Sequence, residues 1–161
     1  MSEVKKPWFE DSKQLESACD FLLNSLPEEF KDVFQSKFKI FFTNKDPSQR
    51  HFAGYCRKLD KAMQHRTGLH FIIVIFKPFW QDTQDSERYK VLIHELHHIL
   101  VEEKESDDED EEPKLIYKLR KHNEREDFCE LPSHDKYSEA ILNKLAIRAS
   151  PKDLGRSPLV L

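Results

Sequence analysis

Apolar residues recur along this chain with two different periods, and the changes of period mark out its elements. Leu15, Ala18, Cys19, Leu22 and Leu26 stand three or four apart. That spacing predicts an amphipathic helix capped by Asp11 or Ser12. Pro27 suits the first turn of a second, short helix, where its missing N–H has no partner to lose. Phe30, Val33 and Phe34 form the stripe expected to be buried there. KIFFTN (39–44) then reads as a strand, ended by turn residues from Asn44 to Pro47. HFAGYCRKL (51–59) reads as a second strand with Gly54 marking a bulge. Residues 61–68 are polar and turn-like. LHFIIVIF (69–76) is the strongest strand, and Pro78 stops it. Its unbroken apolarity predicts burial on both faces, or a covered edge.

A long helix follows, capped by Asp82, Asp85 or Ser86, with Tyr89, Leu92, Ile93, Leu96, Ile99 and Leu100 as its apolar stripe. EEKESDDEDEE (102–112) has no apolar residue and reads as a loop. Pro113 opens the segment KLIYKLRKHN, and a last helix is expected near 138–149 through Ala140, Ile141, Leu145 and Ile147. Residues 1–10 read as a flexible arm, and the Pro- and Gly-containing end, 150–161, as a flexible tail. The order predicts an α+β fold: a small, mostly antiparallel, meander-like sheet with flanking helices. It forms one domain over 11–149, with an acidic loop inserted at 102–112.

Composition narrows the class. A chain of 161 residues suits one domain with a real core. Twelve phenylalanines argue against wholesale disorder. No apolar run reaches the roughly 18–20 residues that cross a bilayer, so a membrane partner is not expected. The first residues lack the apolar stretch of a secretory leader. Cys19, Cys56 and Cys129 are scattered and odd in number, which fits a reducing, cytoplasmic setting. The net charge of −4 hides an asymmetry. Residues 102–112 hold nine acids against Lys104, a block of −8, which leaves a body of +4.

The chemistry lies in VLIHELHHIL (91–100), where His94, Glu95 and His98 form H-E-x-x-H. Residues four apart share a helical face, so two imidazoles can reach one ion. Zinc takes histidine nitrogen at about 2.0–2.1 Å and in catalytic sites commonly keeps three protein ligands and a water. Glu95 stands beside the pair and is placed to take a proton from that water as a general base. The apolar neighbours Ile93, Leu96 and Ile99 set the motif mid-helix against a core. A third ligand must come from downstream, and the candidates are His122, Glu124, Glu126, Glu130 and His134. His122 is favoured because it soon follows KLIYKL, a segment able to hold a rigid backbone. His97 reads as a core histidine neighbouring the site. His51, His65 and His70 read as surface residues near Arg57, Lys58, Lys61, Arg66 and Lys77.

The stretch FKIFFTNKD…RHFAGYCRKLDK…GLHFIIVIFKPFW…SERYKVLIHELHHI…LRKHNEREDF resembles the small metallopeptidase domains of phages, archaeal viruses and archaea. The shared order is a first strand, a second with Ala/Gly-x-x-Lys/Arg, an apolar third, a helix with HEL-x-HI, and L-R-x-H. Here Leu119-Arg120-Lys121-His122 occupies that last place, and the likeness covers roughly 27–145. The resemblance implies a compact zincin-like fold, with His94, His98 and His122 as zinc ligands and Glu95 as base. The long acidic insert before LRKH departs from the pattern.

The expected function is therefore a zinc-dependent metallopeptidase, which hydrolyses peptide bonds in a protein or peptide substrate with a metal-bound water activated by Glu95. Strand 69–76, if it borders the cleft, would pair with an extended substrate. Tyr117, Arg120 and Tyr137 are candidates to stabilise the oxyanion. The alternative is a non-catalytic zinc-binding domain that binds nucleic acid or a protein partner through the +4 body. Glu95 weighs against it, because a structural zinc site needs no base. Oligomeric state is not legible.

Overall fold

A computed structural model describes residues 7–46, 53–105, 107, 110–122 and 135–148. The expected turn at Pro47, His51, Glu124, Glu126, Cys129, Glu130, His134 and the tail 150–161 lie outside the described residues. Four strands form the larger sheet: β1 (Phe9–Asp11), β2 (Phe38–Thr43), β3 (Gly54–Lys58) and β4 (Phe71–Phe76). The spatial order is β1-β2-β4-β3. The pairs β1–β2 and β3–β4 are antiparallel, but β2 and β4 run parallel, Phe38 opposite Phe71 and Thr43 opposite Phe76. The sheet is mostly antiparallel, as expected, but it is not a meander. The polar segment after β3 lets the chain cross over, so that β4 is laid between β2 and β3 with β2's direction.

The central place of β4 accounts for its composition. Phe71, Ile73 and Ile75 face the main core, while Val74 and Phe76 are buried on the other side. Both of its edges are paired, so it cannot accept a substrate strand; among the described residues, the outer strands are β1 and β3. Gly54 marks no bulge. It pairs in register with Ile75, and a Cβ there would lie 2.5 Å from the Val74 carbonyl oxygen.

The first helix, α1 (Lys13–Ser25), begins where Ser12 accepts a hydrogen bond from the Leu15 amide at 3.2 Å. Leu15, Ala18, Cys19, Leu22 and Leu26 are all buried, as their spacing predicts. A 3-10 turn from Pro27 to Phe30 runs into α2 (Lys31–Phe34). Phe30 and Val33, three apart, take the inward face, whereas Phe34, one step further round, is 55% exposed. The expected arm at 1–10 is too long. Phe9 and Glu10 pair with Thr43 and Phe42, and Lys77 holds Glu10 at 3.0 Å.

Residues 61–68, expected to be a turn, are α3 (Lys61–Thr67) closed by Gly68. Asp60 accepts from the Met63 amide at 2.8 Å, and Gly68 at φ 75° supplies the left-handed cap. None of its residues is buried, so the caps hold a helix that hydrophobic periodicity could not reveal. Pro78 lies in the first turn of α4 (Lys77–Gln81), directly after β4.

The motif helix α5 (Asp85–His97) is buried on every side from Arg88 to His97. It stops earlier than its apolar stripe implies. Ile99 and Leu100 belong to β5 (Ile99–Lys104), which pairs antiparallel with β6 (Lys114–Leu119). In β5 the buried residues are Ile99 and Val101, a period of two. The acidic segment is correspondingly shorter as a loop, because Glu102, Glu103 and Lys104 lie in β5 opposite Ile116, Leu115 and Lys114. The last helix, α6 (Lys136–Arg148), starts two residues sooner than expected and buries Ile141 and Leu145. The architecture is mixed α+β. No helix of the described residues is long and apolar enough to cross a membrane.

Candidate metal centre

The H-E-x-x-H motif lies at the end of α5 rather than mid-helix, with His98 as its C-terminal cap. At φ −67° and ψ −22°, His98 keeps helical backbone. His94 and His98 therefore still share one face, their ring centroids 5.0 Å apart. The strand β6 and the short connection after it deliver the third ring. His122 Nε2 stands 3.2 Å from His94 Nε2, and its ring centroid lies 4.6 Å from that of His98. Potential ligand atoms of all three residues lie within 4.8 Å of one another.

Two contacts fix which nitrogens face the shared point. His94 Nδ1 is 2.5 Å from Asp135 Oδ2. His98 Nδ1 is 2.7 Å from the Arg120 carbonyl, and the Arg120 amide donates back to the His98 carbonyl at 2.8 Å. An Nδ1 facing an oxygen carries the hydrogen, so that in the neutral ring Nε2 is the nitrogen with the lone pair a metal ion takes. Burial, with His94 and His122 nearby, pushes His98 down to about 4. It is thus neutral at ordinary pH, the form a metal ion requires.

Asp135 is the residue that motif reading missed. It is fully buried and binds Ser138 twice, accepting from the amide at 3.1 Å and from the hydroxyl at 2.7 Å. It thereby caps α6 and holds His94 with the same carboxylate. Burial works to raise its pKa, but the hydrogen bonds from His94 and Ser138 outweigh this and hold it below the usual carboxylate range. The available signal was the cap pattern Asp-x-x-Ser in DKYS (135–138).

Glu95 is buried beside the cluster but is not part of the three-residue set. Its Oε2 has no hydrogen-bond partner among the described residues. Burial pushes its carboxyl up to about 7, against the pull of His94. Cys56 of β3 lies within its electrostatic reach: burial and then the Glu95 charge push that thiol well up.

The neighbouring His97 takes no part in the cluster. Its Nδ1 bonds the Ile93 carbonyl at 2.7 Å, and its ring packs on Phe30 and Tyr137. This is the core histidine that the sequence implied. The oxyanion candidates are dispersed. Tyr117 stacks on His70 at 3.8 Å between centroids, while Arg120 and Tyr137 line a cavity at His97.

The donor set can be tested against a metal ion. Two nitrogens at about 2.0–2.1 Å on a tetrahedral ion stand about 3.3–3.4 Å apart, close to the 3.2 Å between His94 and His122. Three imidazoles, two of them oriented by an oxygen behind the ring, would suit a borderline transition-metal ion. In Glu95 a buried carboxylate oxygen without a hydrogen-bond partner among the described residues stands nearby. The residues fit the group.

No curated protein and no solved structure matches the chain. A family model described as "Putative phage metallopeptidase" matches residues 6–146, from before β1 into α6. The match spans every residue of the histidine cluster and both of its oxygen supports, and the chain belongs to that metallopeptidase family.

Proposed function

We propose that the protein is a zinc-dependent peptidase of the H-E-x-x-H, zincin-like type, acting on protein or peptide substrates. His94, His98 and His122 are its metal ligands, and Glu95 is its general base. The observation that carries this reading is the approach of the three imidazoles next to a buried carboxylate oxygen that has no hydrogen-bond partner among the described residues. Zinc, when bound, supplies Lewis acidity and lowers the pKa of water towards roughly 7.

The chain's own residues do the rest. The Glu95 carboxylate takes a proton from the attacking water and passes it to the leaving amine. Burial raises the proton affinity of this carboxyl in the metal-free fold, which favours its taking a proton. Asp135 and the Arg120 carbonyl hold the His94 and His98 rings in one tautomer. The outer strand β3, whose Cys56 lies near Glu95, is the place for an extended substrate to add as a further strand.

The test is metal content and turnover on a fluorogenic peptide library. The protein should hold about one zinc per chain. Glu95→Gln should keep that zinc and lose turnover by about 10²–10⁴-fold. His122→Ala should weaken zinc binding. A fully active Glu95→Gln protein would sink the mechanism, and undiminished zinc affinity in His122→Ala would sink the ligand set.

A further inference from the structure

We infer that His70 and Tyr117 form a joint that positions the third ligand. Their stacked rings seat the β5–β6 hairpin on the larger sheet and so bring His122 to His94 and His98. This role rests on the ligand set proposed above and belongs to two residues outside it.

The hairpin and the four-stranded sheet are separate sheets, with no ladder between them. Side chains must therefore set how the one sits on the other. A two-stranded hairpin is marginal alone and strongly twisted, so the direction of β6 depends on what it packs against. At the base, His98 and Arg120 tie it to the motif helix. Ile99 and Val101 bury the β5 side. On the β6 side the contact is Tyr117, three residues before Arg120 and five before His122.

His70 gives Tyr117 a rigid platform. Its amide donates to the Lys37 carbonyl at 2.7 Å, and the Lys37 amide donates back to His70 Nδ1 at 3.0 Å. The Leu59 amide donates to the His70 carbonyl at 2.9 Å. The residue is thus held by the chain just before β2 and just after β3. Since Nδ1 accepts, the hydrogen of the neutral ring is on Nε2. Burial and the Lys37 charge keep the pKa below the ordinary histidine value, which preserves that acceptor. Tyr117 lies flat on this ring, 3.8 Å between centroids and 14° between planes. It also meets Phe71 edge to face at 6.2 Å. Such geometries fix the direction of a ring as well as burying it. The consequence is felt at His122, whose Nε2 is 3.2 Å from that of His94. A hairpin displaced by about one ångström would exceed the roughly ±0.2 Å that metal–ligand distances tolerate.

The test begins with the metal-free full chain and the nuclear Overhauser contact between the His98 and His122 rings, 4.6 Å apart at their centroids. The His97–Tyr137 contact, at 4.7 Å, is the control for an intact core. Tyr117→Phe keeps the stack and should keep the His98–His122 contact. Tyr117→Leu keeps apolar bulk without a flat ring and should lose that contact while the control stays. His70→Asn still offers the Lys37 amide an acceptor, and it should do the same, so it serves where Tyr117→Leu fails to fold. Zinc affinity, by competition with a chelating dye, should fall about tenfold in both. In a His122→Ala background Tyr117→Leu should bring no further loss, whereas a general weakening of the fold would. A His98–His122 contact retained in Tyr117→Leu and His70→Asn would overturn the proposal. So would an equal loss of zinc affinity with and without His122. A parent that takes up no zinc, yet loses the ring contact on substitution, would overturn the ligand set and leave the joint standing.

Discussion

Asp135 shows how one side chain couples a helix to a metal centre. Its carboxylate caps α6 through Ser138 and meets His94 Nδ1 at 2.5 Å, with no solvent access. The two tasks separate by substitution. Asn is as good a helix cap as Asp but brings no charge to the imidazole. Asp135→Asn should therefore leave helicity intact and lower metal affinity about 10–100-fold, measured by competition with a chelating dye. Asp135→Ala loses the cap as well and should cost a further ~1–2 kcal/mol in urea denaturation. Equal metal affinity in parent and Asp135→Asn would show that the carboxylate does not position His94. The residues differ in how visible they were beforehand. His94, Glu95 and His98 are legible because their spacing is local. His122 is one of five downstream candidates, favoured by its place after KLIYKL and then by the family resemblance, and the other four lie outside the described residues. Asp135 is 41 positions from His94, a distance that periodicity does not bridge.

Elements carry the next set of constraints, and glycine makes them measurable. At Gly54 an added methyl would lie 2.5 Å from the Val74 carbonyl oxygen and 2.9 Å from Ile75 Cδ1. Backbone cannot retreat there without parting β3 from β4. Gly54→Ala should lower stability by about 1–3 kcal/mol. It should also reduce turnover, because β3 carries Cys56 within electrostatic reach of Glu95. Gly68→Ala is the comparison. Nothing lies within 4 Å of the added methyl, and only the φ of 75° opposes it, at about 1 kcal/mol. Paired denaturation curves check the order, and a Gly54→Ala protein as stable as its parent would refute the close approach. The same elements show where sequence patterning stops. β4 and α1 announce themselves because burial forces one period on them. α3 is held by its caps and buries nothing, so it left no apolar trace. Ile99 and Leu100 satisfy the helical stripe by accident, and β5 emerges only once β6 is there to pair with it.

For the whole molecule, charge falls into two populations. Most of the acids at 102–112 are at the far end of the β5–β6 hairpin, and those described are exposed. The groups that govern acid stability are instead buried at the hairpin's base and beneath it. Burial holds His97 and His98 near 4 in the fold, against 6.5 as the ordinary value. Burial also raises Glu95 to about 7 from 4.5. The signs oppose each other. Below pH 6.5 the unfolded chain takes up protons on both histidines that the fold refuses, which lowers stability. Between 7 and 4.5 the fold keeps a proton on Glu95 that the unfolded chain sheds, which raises it. From these three groups the unfolded state in the window from 6.5 to 4.5 thus binds a net surplus of about one proton, and His70, lowered by burial and by Lys37, adds to it in the same direction. One such proton corresponds to a loss of up to about 1.4 kcal/mol per pH unit. Below 4.5 the unfolded chain protonates its Glu95 as well, and the decline steepens until the histidines titrate in the fold near 4. The metal-free protein should therefore show a urea midpoint that changes little from pH 7 to 6.5 and then falls steadily. Glu95→Gln, which removes the opposing group, should make that fall steeper by up to about 1.4 kcal/mol per pH unit, because one compensating proton is lost. A midpoint that stays level from pH 6.5 to 4.5 would mean that the histidines are not held neutral by burial. It would also remove the physical basis for reading the cluster as preset to receive a metal ion.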